Sequence, residues 1–135
     1  MRVVEVVSPT RLEAGHVYIG RGDADVIVTR RATGLMAMSA PAEADYPWHP
    51  NTNRLVDSAL RHVDPPHLIG VLMTGMGNDG AESMARLHQA GGTTIAEAKD
   101  TAVVWGMPGE LVAANGADWV LPVSGIAACL RKLVP

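Results

Sequence analysis

Charge, cysteine and long apolar runs are all scarce in this chain, and each shortage excludes a class of protein. Only 19% of the 135 residues are charged, 11 basic against 14 acidic for a net of −3, which leaves no basic footprint for a nucleic acid or an anionic membrane surface. A single cysteine, Cys129, cannot close an internal disulfide. No cationic-then-apolar leader opens the chain at Met1, so secretion is not signalled and the cytoplasm is the expected compartment. The longest apolar stretches run to about six residues against the roughly 18 that a membrane span needs, so membrane insertion is not expected. What the chain does have is apolar mass. With 47% hydrophobic residues it can offset its ordering entropy, which excludes disorder, collagen and coiled coil and predicts one domain over residues 1–135.

Local patterning divides that length into two rhythms. Met1–Val7 is β-branched and reads as a strand, followed by short extended runs at His16–Gly20, Val26–Arg30 and Leu35–Ser39, punctuated by Gly20, Gly22 and Gly34 as in hairpins or a meander. Ala40–Pro50 carries Pro41, Pro47 and Pro50 and reads as a loop. Beyond it the period becomes helical: Leu55, Val56, Ala59, Leu60 and Val63 share a face, with Asn51 or Thr52 placed to cap the start. Leu68–Met73 is a continuous apolar run of the kind that forms a parallel strand covered on both faces. Met84, Leu87 and Ala90 then mark a helix face that stops at Gly91-Gly92. Thr93–Ala96, a short helix near Pro108–Ala114, a strand at Trp119–Val123 and a closing helix on Ile126, Ala127, Leu130 and Leu133 complete the pattern. Alternating helices and strands predict an α/β fold: a doubly wound, mostly parallel sheet with flanking helices, and a β-hairpin or meander near the N-terminus. Three parallel candidates after residue 50 plus the opening strand are few for such a sheet, so an incomplete fold with an exposed edge is expected.

The most specific feature is Thr74–Gly80, TGMGNDG, between a buried strand and a helix, at the strand edge where open α/β sheets collect their ligands. Gly75 to Gly80 formally matches the G-x-G-x-x-G dinucleotide turn, and Glu97, near the end of the next strand, stands where a ribose-binding acid would. Asp79 argues against nucleotide binding. It sets a fixed carboxylate at the helix N-terminus, where a pyrophosphate needs free N–H groups and positive dipole. A plainer alternative makes Asp79 an N-cap and the glycines a means to a tight turn.

Thr74–Ala81, together with Gly92–Glu97 (GTTIAE) and Val103–Pro108 (VVWGMP), closely resembles the C-terminal half of the CheB chemotaxis methylesterases, which are protein-glutamate methylesterases. Leu12–Gly22 (LEAGHVYIGRG) looks like another of the family's segments, and Trp48-His49-Pro50 through Ser58 like its proline-containing helix start. The resemblance implies a domain that hydrolyses glutamate methyl esters on the cytoplasmic helices of chemoreceptors during adaptation, using a serine, a histidine and an aspartate. By motif match, Asp79 takes the place of the triad acid and the backbone N–H of Met76 that of an oxyanion-hole donor. Such an acid would hold the imidazole in its reactive tautomer, and such an amide would point at the developing oxyanion.

This sequence departs from the family pattern at the other two positions. The family's Gly-x-Ser-Thr-Gly-Gly and Gln-His-Met segments have no counterpart in these residues, nor does the receiver domain often found ahead of the catalytic domain. The chain reads as beginning just downstream of both segments, and alone it is expected to be inactive. Ser83 is not an activated substitute and reads as solvent-facing; His88 lies about 13 Å along the helix from Asp79 and reads as a surface residue. His16, His49 and His62 read as structural or solvated. Five histidines without metal spacing and one cysteine leave zinc unsupported, and no cofactor is implied. The methionines read mostly as core filler, Met73 among them, although Met76 and Met107 fall in family motifs. His49, Asn51 and Asn53 stand where many relatives carry Arg, Ser and Asp, and Asp25 where a His is common, which bears on substrate recognition. The expected partners are methylated receptor helices and, through an uncovered sheet edge, further copies of the chain. Another possibility is a binding module that docks on receptor helices or on a complete methylesterase without catalysis.

Overall fold

The computed structural model describes residues 1–134, which cluster into two compact units meeting at Val63–Asp64. In the first, β1 (Arg2–Val6), β2 (Thr10–Arg11), β3 (His16–Gly20), β4 (Ala24–Arg31) and β5 (Gly34–Pro41) precede α1 (Thr52–His62). β4 and β5 form the expected hairpin. Arg31 sits opposite Gly34 across a two-residue turn, and Gly34 adopts φ 124, a conformation that a side chain would strain. β2 adds to the other edge of β5. The expected meander does not continue to β3, which instead pairs in parallel with β1, Arg2 opposite His16 through Val6 opposite Gly20. The connection between them is pinned by Tyr18, whose hydroxyl donates to Arg11 O and accepts the Glu13 N–H, both at 2.9 Å.

The start of α1 is set by Asn51 rather than Thr52: its side-chain oxygen accepts the Arg54 N–H at 2.9 Å. The helix lies on β4 through Ser58, whose buried hydroxyl accepts the Val28 N–H at 2.8 Å and donates to Leu55 O at 2.7 Å. The strand edge that β5 does not pair thereby finds an acceptor on a helix.

In the second unit a 3₁₀ turn (Pro65–His67) leads into β6 (Ile69–Leu72), α2 (Ala81–Gln89), β7 (Thr93–Glu97), α3 (Met107–Ala113), β8 (Trp119–Leu121) and α4 (Val123–Leu133). The strands form a parallel sheet in the order β6-β7-β8, as the alternating pattern predicts. Its core gathers Leu72, Met84, Leu87, Ile95, Ala96, Leu111 and Ile126. β6 is an edge strand of this sheet, and Ile69, Gly70 and Val71 are half-buried. At the other edge Trp119 and Val120 are 41% and 45% exposed. Ala90 and Ala127, predicted to face the core, are exposed, because Ala90 is already the C-cap of α2 and Ala127 lies about 100° around α4 from buried Ile126. α2 ends as expected. Gly91 adopts φ 99 and donates to His88 O, while Gly92 donates to Leu87 O, the paired bonds of a Schellman stop. Among the described residues no helix is long and apolar enough to cross a membrane.

Candidate active site

Three separated sequence motifs meet at the C-terminal rim of the parallel sheet. After Leu72 the chain leaves β6 and enters the Thr74–Gly80 turn, which is stapled to Val104–Met107: Gly75 N–H donates to Val104 O at 3.0 Å, and Gly106 and Met107 N–H donate to Gly75 O at 3.1 and 2.9 Å. The Thr74 hydroxyl completes the staple, accepting from Val104 N at 2.9 Å and donating to Val104 O at 3.2 Å. The contact is close enough to require glycine. A Cβ on Gly106 would lie 2.7 Å from Gly75 O and 2.9 Å from Gly77 N, and one on Gly75 would collide with Met107 Sδ. From the third motif, buried Glu97 accepts the Thr74 N–H at 2.9 Å through Oε1 and the Thr101 hydroxyl at 2.9 Å through Oε2. With both oxygens engaged at 2% exposure, Glu97 is not open to a ribose, and the dinucleotide alternative loses its acid.

Asp79 and Met76 stand on this turn with opposite exposure. Asp79 is 6% exposed whereas the Met76 side chain is 68% exposed, and among the described residues nothing accepts the Met76 N–H. Asp79 is not the N-cap of α2. That position belongs to Gly80, whose left-handed φ of 91 starts the helix one residue later. Ser83 is fully buried instead of facing solvent, because it lies on the same helix face as Met84 and Leu87 and returns its hydroxyl to Gly80 O at 3.3 Å. Met73 is 40% exposed rather than core filler, since it follows the last paired residue of β6.

His88 belongs to a different cluster and is half-buried, not at the surface. Its Nδ1 lies 3.2 Å from Asp118 Oδ1, without hydrogen-bond geometry. Burial pushes the Asp118 carboxyl up, but the Thr94 N–H, His88 and the Thr94 hydroxyl outweigh it and hold it below the ordinary range.

In the first unit, a constellation that sequence reasoning missed surrounds Asp25, at 1% exposure. Its Oδ1 accepts from His49 Nδ1 at 3.0 Å and from Asn51 N–H at 2.8 Å, and its Oδ2 from Arg54 Nη1 at 2.7 Å. Arg54 also donates to Pro41 O at 2.8 Å and pairs with Glu43 at 2.9 Å. Burial alone would raise the Asp25 pKa; the bonds from His49, Arg54 and Asn51 more than offset it, and the carboxyl sits below the usual range. The only signal was that Asp25, His49, Asn51 and Asn53 all depart from common family residues. Among the described residues no group of three or more His, Cys, Asp or Glu side chains could hold a metal ion.

A family model described as CheB methylesterase matches residues 1–130. The chain belongs to the CheB methylesterase family. It is 65% identical over 130 residues to the protein-glutamate methylesterase/protein-glutamine glutaminase 2 of Rhodopseudomonas palustris strain BisB18, covering 96% of this chain and 36% of that protein. It is 50% identical over 131 residues to the protein-glutamate methylesterase/protein-glutamine glutaminase 3 of Rhodospirillum rubrum, covering 97% and 35%. The chain thus spans about a third of the length of these curated relatives. Among solved structures, the Thermotoga maritima CheB methylesterase catalytic domain matches at a TM-score of 0.89 and 31% identity, over 96% of this chain and 68% of that one. The CheB resemblance read from the motifs and the mixed α/β architecture with its parallel sheet are both borne out.

Proposed function

We propose that residues 1–135 are part of one protein-glutamate methylesterase catalytic domain and supply its triad acid, Asp79, and an oxyanion-hole donor, the Met76 N–H. The observation that carries this reading is the pairing on one clamped turn of a buried carboxylate, Asp79, with an exposed residue, Met76, whose N–H has no acceptor among the described residues. A buried acid can hold an imidazole through Nδ1–H in the tautomer that takes a proton from serine. A fixed amide can stabilise the tetrahedral oxyanion without reorganising. The serine and the histidine are not among these residues in the family's turns, so the chain alone hydrolyses nothing. Methylated glutamates on cytoplasmic chemoreceptor helices are the substrate. Self-association through the uncovered strand edges accompanies this partial domain.

The test is methanol release from methylated receptor fragments. The purified chain is expected to give none; mixed with a polypeptide carrying the family's Gly-x-Ser-Thr-Gly-Gly and Gln-His-Met segments, it is expected to restore release, and Asp79→Asn to abolish it. Hydrolysis by the chain alone that disappears with Asp79→Ala, or restored hydrolysis that survives Asp79→Asn, would overturn the reading. Receptor binding without hydrolysis in the mixture would favour the non-catalytic docking alternative.

A further inference from the structure

We propose that Glu97 is a positioning residue for the oxyanion turn, an inference that rests on the functional reading above. The last paired residues of β6 and β7 are Leu72 and Ala96, so beyond them the Thr74 N–H has no ladder partner. Glu97, one residue further along β7, substitutes its side chain for that ladder and takes the Thr74 N–H at 2.9 Å. Its other oxygen takes the Thr101 hydroxyl at 2.9 Å, and the Thr101 oxygen in turn accepts the Val123 N–H at 3.0 Å at the start of α4. Its main-chain carbonyl accepts Trp105 Nε1 at 2.8 Å.

Glu97 therefore ties the turn, the segment after β7 and the start of α4 to one point. An apolar side chain would fill a site that is 2% exposed at no desolvation cost; what a carboxylate adds is an acceptor for the Thr74 N–H, which has no ladder partner. The turn is then gripped from two sides, Thr74 N–H by Glu97 and Gly75 N–H by Val104. The Met76 N–H shares its peptide unit with Gly75 O, which the Gly106 and Met107 N–H groups hold, and Glu97 anchors the chain leading into that unit, so it helps position an oxyanion donor that it does not touch.

Backbone amide hydrogen exchange on the 135-residue chain tests the clamp without any need for catalysis. Glu97→Ala is expected to speed exchange at Thr74 and Gly75 by about tenfold or more, with Leu72, Leu87 and Ile95 unchanged. Glu97→Gln keeps an acceptor oxygen and is expected to stay within about threefold of the unmodified chain. In the reconstituted esterase assay, Glu97→Ala should lower kcat with little change in KM, and Glu97→Gln should recover most of it. Unchanged exchange at Thr74 and Gly75, a uniform rise across the unit, or a Gln variant no better than Ala would overturn the proposal. If reconstitution with the unmodified chain yields no hydrolysis, the functional reading fails, while the exchange data still decide whether Glu97 holds the turn.

Discussion

Around Asp25, a carboxylate at 1% exposure is balanced by an imidazole, a guanidinium and a peptide N–H, so its contribution to stability depends on all of them staying in place. Truncating Arg54 to Ala leaves the buried charge short of its closest cation and is expected to cost about 3 kcal/mol, measured by urea denaturation at neutral pH. The pH dependence follows from the sign of the shift. Because the folded carboxyl of Asp25 is held below its unfolded value, its contribution is present above the unfolded pKa and is lost as pH falls through the folded one. Asp118 acts in the same direction. The urea midpoint is therefore expected to fall as pH drops below the ordinary carboxylate range, less steeply in Asp25→Asn, which has no charge to lose. At this scale the turn that carries Asp79 was legible as a motif, and the triad role of Asp79 remains a proposal. The environment of Asp25 could not, because His49, Asn51 and Arg54 lie more than twenty residues away and meet it only when the start of α1 reaches β4.

Helix limits are decided by a few local bonds and were correspondingly legible. The Gly91-Gly92 pair announced the end of α2, and its αL residue and two reversed hydrogen bonds occur where the sequence placed them. Gly91→Ala, forced to φ 99, is expected to cost about 1–2 kcal/mol in thermal denaturation. Asn51→Ala, which removes the acceptor for the Arg54 N–H, is expected to cost about 1 kcal/mol by the same measurement. Strand pairing was less legible. A β-branched run specifies that a strand forms but not its neighbour, and β1 found β3 rather than an antiparallel partner because the connection between them is held down by the Tyr18 hydroxyl. Ser83 illustrates the same limit on a helix, where a hydroxyl that returns to Gly80 O can be buried among apolar neighbours.

For the molecule as a whole, the proposed self-association rests on apolar side chains exposed on the outer strands. Val3, Val17 and Ile19 are 62%, 37% and 51% exposed on the β1–β3 pair, and Trp119 and Val120 are exposed on β8. Light scattering is expected to show concentration-dependent association that Ile19→Lys reduces; a monomer at all concentrations would remove that expectation. The order of helices and strands after residue 50, the family and the turn that carries Asp79 were determined by the sequence itself, because periodicity, glycine position and short contiguous motifs are local properties. Only the tertiary structure decided that the turn is clamped by Glu97 and Val104 and that Asp25 is enclosed by His49 and Arg54. Those hydrogen bonds join residues more than twenty positions apart, and nothing in a linear pattern says which distant donor a buried carboxylate will meet.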